Sequence, residues 1–155
     1  MWTNTCCSHP RHIPSELDSS VDNDYLGLKR AAVRRSGFEL GIQEELLGSE
    51  ADAFKDLHVG SRILYYANGC DTFAEYELDY IIFTQKDVEH QFNLDEIKAT
   101  EYVSLSDFDD FLRERKEKYG EDITPWFKLL VDRSLKKWWQ DIIDKGFEDG
   151  VPNEA

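Results

Sequence analysis

The sequence predicts a mixed α/β domain, and three observations carry that prediction. Residues 24–40 place side chains on common faces at spacings of three and four, and the run stops at Gly41. Residues 72–83, TFAEYELDYIIF, alternate with a period of two, as a half-buried strand does. Two further helical runs, each followed by glycine, close the chain.

Taken in order, residues 8–24 read as a long loop, with Pro10, Pro14, paired serines and several acids. Asp24 is the expected cap of the first helix, and Gly41 stands where a left-handed residue is wanted. On that helix Leu28, Ala32, Arg35 and Glu39 share one face, so Arg35 and Glu39 are neighbours one turn apart. A second acidic loop leads to SRILYYA (61–67), a strand. In the strand at 72–83, Glu75, Glu77 and Asp79 fall on one face, while Ala74, Tyr76, Leu78 and Tyr80 fall on the other. The run SLSDFDDFLRERKEKYG (104–120) is expected to be helical, capped by Ser106 and ended by Gly120. The last run, TPWFKLLVDRSLKKWWQDIIDKG (124–146), is expected as one helix with Thr124 as cap and Pro125 at its first position. Its apolar stripe is Phe127, Leu130, Val131, Ser134, Leu135, Trp138 and Ile142. About three strands are expected in all, with His58 and His90 in loops.

A chain of 155 residues fits one domain, which buries about 70% of its unfolded surface. A net charge of −14 opposes binding to nucleic acid or an anionic membrane. Against that background KRAAVRR (29–35) is a local cationic patch, suited to a small anionic ligand. No run approaches the roughly 18 apolar residues of a membrane span, and the first ten residues lack the pattern of a secretory signal. Three cysteines, two of them adjacent, make a poor disulfide framework and point to a reducing, cytoplasmic setting. The terminal PNEA matches no peroxisomal address, though a peroxisomal location is left open.

Several groups of residues could carry chemistry. In TNTCCSHP (3–10), Cys6 and Cys7 are either buried and inert or include a reactive thiol, with His9 as metal ligand or activator. A structural zinc site is disfavoured, because adjacent cysteines diverge and no second ligand pair follows. The acids Glu75, Glu77 and Asp79 either face water or, with a histidine, form a mixed site for Mg²⁺, Mn²⁺ or Zn²⁺. Arg35 with Glu39 is either a surface ion pair or part of a site. Trp126 either packs or faces a developing positive charge.

Together these pieces resemble the type 1 isopentenyl-diphosphate Δ-isomerases, which are built on the Nudix fold. The resemblance rests on TNTCCSHP, RRSGFELGI (34–42), RILYYA (62–67), EYELDYIIF (75–83), NLDEIK (93–98), TPWFK (124–128) and KWW (137–139), in the family's order. It covers nearly the whole chain. The helix at 34–42 lacks the paired glutamates of Nudix hydrolases, which favours isomerase over hydrolase.

The resemblance implies a single domain over residues 1–155, a mixed sheet flanked by helices, without the family's N-terminal strands. It implies interconversion of isopentenyl and dimethylallyl diphosphate by a 1,3-proton shift, in isoprenoid and sterol precursor synthesis. Cys7 and Glu77 would be the acid–base pair, Tyr65 would assist Glu77, and Trp126 would face the cation. His9, Glu75 and Glu77 would ligate a divalent metal, with Glu39 holding a Mg²⁺ that bridges to the diphosphate. Ser8 and Arg35 would lie at the substrate's anionic end, and no flavin would be used. The family's pattern also includes an upstream part with further histidine ligands and basic diphosphate contacts, so this chain reads as truncated. The partner would be a small prenyl diphosphate, with neither nucleic acid nor membrane, and the protein a monomer whose exposed strand edges offer a route to association. The alternative function is a non-catalytic truncated relative that binds a prenyl diphosphate or a protein partner.

Overall fold

The computed structural model of the protein describes residues 1–18, 20–68 and 72–147. Helix α1 spans Leu26–Leu40, strand β1 His58–Asn68 and strand β2 Ala74–Phe83. Helices α2 (Phe108–Tyr119), α3 (Pro125–Arg133) and α4 (Leu135–Lys145) follow. Strands β1 and β2 form a two-stranded sheet, antiparallel because the connection at 69–73 is too short for a crossover. The architecture is thus α+β. The chain divides into two compact units: Met1–Asn4, Gly60–Ile81 and Glu101–Ala155 make the first, and Thr5–Val59 with Ile82–Thr100 the second.

In the second unit α1 is the frame. Its buried face joins Val33 and Leu40 to Ile42, Leu47, Phe54 and Leu57, with Ile82, Val88, Phe92 and Ile97 packed against them. Each fully buried side chain of this kind contributes roughly 1.5–3 kcal/mol by leaving water. Gly41 ends the helix at φ 64, as expected. The returning chain then takes the last carbonyls, Gln91 N–H donating to Leu40 O (2.8 Å) and Asn93 N–H to Glu39 O (2.7 Å).

The start of α1 differs from expectation. Tyr25, not Asp24, occupies the cap position, and no side chain caps the helix. The Asp24 carboxylate instead pairs with Lys29 Nζ at 2.6 Å. Lys29 is only 2% exposed, and a buried ammonium needs a carboxylate more than a helix end needs a cap. A loop carbonyl serves the helix start in its place, Asp18 O accepting from Gly27 N–H at 2.8 Å. The other bases of the expected cationic patch are also paired: Arg30 with Glu50, Arg34 with Glu16, Arg35 with Glu39. The patch is neutralised within the fold rather than presented as free positive charge.

In the first unit, β1 buries Ser61, Ile63 and Tyr65, while Leu64 and Tyr66, on its other side, lie exposed. β2 turns Tyr76 (71% exposed) and Leu78 outward as well. The more covered side of β2 is its acidic side, where Glu77 and Asp79 are half-buried. Among the described residues the third expected strand is represented only by an isolated parallel bridge between Trp2 and Ile123. His58, expected in a loop, opens β1.

The last helical run is not one helix. It breaks at Ser134 (φ −136) into α3 and α4. Phe108, at the start of α2, explains the break: its ring lies 6.3 Å from Phe127 and 5.9 Å from Trp139. In a straight helix those two residues would stand about 18 Å apart, too far for one ring to touch both. Ser106 likewise does not cap α2; Asp107 holds that position, and Gly120 ends the helix at φ 66. No described helix is long and apolar enough to cross a membrane.

Gly27 offers a test of how closely the loop lies on α1. Alanine is favoured over glycine in helices by up to about 1 kcal/mol. Here, however, a Cβ would meet Asp18 O at 2.4 Å and Asp18 N at 2.7 Å, both backbone atoms. Gly27→Ala is therefore expected to destabilise the protein by about 1–3 kcal/mol in urea denaturation. Unchanged or raised stability would show that the loop yields freely.

Candidate functional site

In the first unit the hairpin builds an acidic cluster around one phenol. Tyr65 is buried on the inner side of β1, and its hydroxyl donates to Glu77 Oε2 at 2.8 Å and Glu75 Oε2 at 3.1 Å. The period-two geometry of β2 brings Glu75 and Glu77 to the same side, opposite Tyr65 on the neighbouring strand. Burial, the hydrogen bonds to Glu77 and Glu75, and the charges of Glu77 and Asp79 all push the Tyr65 pKa upward. The phenol therefore stays neutral and acts as a donor. Because one hydroxyl carries one proton, the two carboxylates share it. This makes a place where a proton or a hard cation relieves like-charge repulsion.

Trp126, in the first turn of α3, lies beside this cluster, its ring 6.4 Å from that of Tyr65 at 45°. Its indole N–H donates to Asn4 Oδ1 at 3.1 Å.

In the second unit the segment after Thr5 carries Cys6, Cys7, Ser8 and His9. Cys6 is half-buried against the α1 core, whereas Cys7, Ser8 and His9 are exposed. Burial first, then the charge of Glu39, raises the Cys6 thiol to about 12, so it stays protonated. Arg34 fastens the segment: Nε donates to Glu16 Oε1 (2.7 Å), and Nη2 to Glu16 Oε2 (2.9 Å) and to His9 O (3.2 Å). The Glu16 carboxylate, 5% exposed, also accepts from Arg11 N–H. Arg34 beside it holds its pKa below the usual carboxylate range. Glu16 and Arg34 were not among the expected site residues; 18 positions apart in a loop and a helix, they leave no spacing signal in the sequence.

Arg35 pairs with the buried Glu39, as their spacing anticipates, and also approaches Glu96 at 3.4 Å. Its Nε is buried without a hydrogen-bond partner among the described residues. A cation at Glu39 would compete with this guanidinium.

The structure thus unites Tyr65, Glu75 and Glu77 with Trp126 alongside, and joins Arg35 to Glu39. The expected metal set is divided, Glu75 and Glu77 in the first unit and His9 and Glu39 in the second. Among the described residues no three His, Cys, Asp or Glu side chains form a group able to hold a metal. Glu75 and Glu77 are suitable hard donors for a divalent cation, but alone they are an incomplete set.

No protein-family model matches the chain. Individual relatives do. An isopentenyl-diphosphate delta-isomerase of Gibberella zeae is 39% identical over 148 residues, 96% of this chain and 54% of its own length. Isopentenyl-diphosphate Delta-isomerase I of Clarkia breweri is 43% identical over 94% of this chain and 48% of its own. Isopentenyl-diphosphate Delta-isomerase 1 of Mesocricetus auratus is 42% identical over 91% of this chain and 58% of its own. By sequence the chain is similar to isopentenyl-diphosphate delta-isomerases over more than nine-tenths of its own length. It spans about half the length of the curated relatives it matches.

The two adjacent cysteines should differ in reactivity, since only a thiolate alkylates quickly. At pH 8, iodoacetamide should modify Cys7 well before Cys6, as read by tandem mass spectrometry of the peptide carrying both. Cys6 labelling should stay slow until the pH nears 12. Faster labelling of Cys6 would contradict its burial beside Glu39.

Proposed function

We propose that this chain interconverts isopentenyl and dimethylallyl diphosphate by a 1,3-proton transfer, supplying precursors for isoprenoid and sterol synthesis. The observation that carries the reading is the buried Tyr65 hydroxyl held against Glu77 and Glu75, in a sequence about 40% identical to enzymes named for this isomerisation. We read residues 1–155 as one Nudix-like isomerase domain.

The reaction needs one group to give a proton to one end of the allylic system and another to take one from the far end. Glu77 is the first proton-transfer group. Tyr65 fixes its carboxylate and, because the phenol's own pKa is raised, does so without surrendering its proton. Cys7, whose thiol is exposed, is the second group; Cys6, protonated and packed, is not. Positive charge accumulates on carbon between the two transfers, and the Trp126 ring stabilises it by cation–π attraction, about 2 kcal/mol where water is excluded. Ser8 and Arg35 are the proposed contacts for the diphosphate.

A divalent metal, Mg²⁺ with Mn²⁺ or Zn²⁺ as alternatives, is part of this reading, and no flavin is. Glu75 and Glu77 would furnish carboxylate ligands, with His9 and Glu39 as the other proposed donors. When bound, the metal would lower the charge repulsion between the carboxylates and hold them in place. The donor set among the described residues is incomplete, so no proton-transfer step is routed through it.

The test is deuterium exchange. The chain is incubated with isopentenyl diphosphate and Mg²⁺ in D₂O, and deuterated dimethylallyl product is followed by NMR. Cys7→Ala and Glu77→Gln should each lower the rate by several orders of magnitude, whereas Cys6→Ala should lower it little. Near-wild-type exchange in the Cys7 variant would sink the acid–base assignment. Absence of exchange by the folded wild-type chain would sink the activity.

A further inference from the structure

The first four residues do more than begin the chain. Trp2 forms the bridge to Ile123, its N–H donating to Asp122 O (2.8 Å) and its carbonyl accepting from Thr124 N–H (2.9 Å). Its ring is held edge-on by Phe111 at 5.2 Å and capped by the Arg115 guanidinium at 5.0 Å, and its indole N–H donates to Glu121 Oε2 at 2.6 Å. Next along, the Thr3 and Thr124 hydroxyls meet at 2.9 Å. The backbone here is therefore locked to the turn from which α3 starts. That places the Asn4 side chain against Trp126, whose indole N–H it accepts at 3.1 Å. Thr3 Oγ1 donates to the same Asn4 oxygen at 2.9 Å, which fixes the amide's orientation.

A tryptophan ring beside an acidic cluster has freedom about its side-chain bonds unless something ties its polar edge. Here one oxygen does so, and Tyr65 lies 6.4 Å from the same ring. Donating the indole hydrogen also leaves the ring more electron-rich, which strengthens its pull on a cation. We infer that Asn4 is a positioning residue: by accepting the Trp126 indole N–H it sets the orientation and electron density of the ring that stabilises the carbocation. This rests on the proposed isomerase reading and adds to it a residue that does not itself touch the reacting atoms.

The test uses two diphosphates of equal length, one carrying a tertiary ammonium where the positive charge would develop and one uncharged. Binding of both to the full chain is measured by calorimetry in Mg²⁺. The wild type should prefer the ammonium compound. Asn4→Ala should reduce that preference about tenfold while leaving affinity for the uncharged compound unchanged. Asn4→Asp, which keeps the acceptor oxygen, should restore the preference. Equal loss for both compounds in Asn4→Ala would mean a merely structural role and would overturn the inference. So would a Trp126→Leu variant that loses the preference while Asn4→Ala keeps it. If the wild type shows no preference, or Trp126→Leu retains it, the reading of Trp126 itself falls and the inference falls with it.

Discussion

The pairing of four bases on α1 organises the second unit. Lys29, Arg30 and Arg34 reach acids outside the helix, while Arg35 pairs with Glu39 one turn along it. Lys29 draws in Asp24, Arg30 draws in Glu50, Arg34 draws in Glu16 and Arg35 draws in Glu39. Three of these pairs have one partner nearly buried, so removing the other would leave an enclosed charge without its counter-ion. The long acidic loop is thus stitched to the helix rather than loose beside it. The route of the segment bearing Cys7 and His9 depends on one of those stitches, through Arg34 and the His9 carbonyl.

In the first unit the corresponding constraint is the Tyr65 phenol. Alternation along β2 offers two faces, and the aromatic one would ordinarily be expected to turn inward. Tyr76 and Tyr66 are instead 71% and 63% exposed, while Glu77 lies toward the buried Tyr65 hydroxyl. Covering carboxylates is costly unless a donor or a proton accompanies them, and the phenol supplies the donor. In this part of the hairpin Glu77 and Asp79 are thus half-buried while Tyr76 and Leu78 on the other side are exposed.

Elements with local signals were legible without coordinates. Gly41 and Gly120 end their helices because no side chain opposes a positive φ there, and the alternation at 74–83 permits only a strand. The neighbourhood of Arg35 and Glu39 follows from helix geometry alone. The expected helix caps at Asp24 and Ser106 did not form. Asp24 answers to a buried ammonium five residues on, a demand visible only once Lys29 is seen to be enclosed. The break at Ser134 was equally hidden, since nothing nearby in sequence opposes a helix. It arises because Phe108 packs against both Phe127 and Trp139.

The candidate site divides along the same line. Sequence by itself determined the candidate residues by type and spacing, namely the acids at 75 and 77 on one strand face, the thiol at 7 and the indole at 126, and the similarity to isopentenyl-diphosphate isomerases over nearly the whole chain. Tertiary structure alone decided what each of them meets. The resemblance implies Tyr65 as an assistant to Glu77, but only pairing of the strands puts its hydroxyl within hydrogen-bond reach of both carboxylates. Asn4 and Trp126 are 122 positions apart, and Glu16 and Arg34 are 18 apart. Residue type and periodicity specify local conformation and side-chain chemistry, because those depend on near neighbours in the chain. Partnership across such separations depends on how the whole chain packs, and hydrogen bonds of that kind exist only after it has done so.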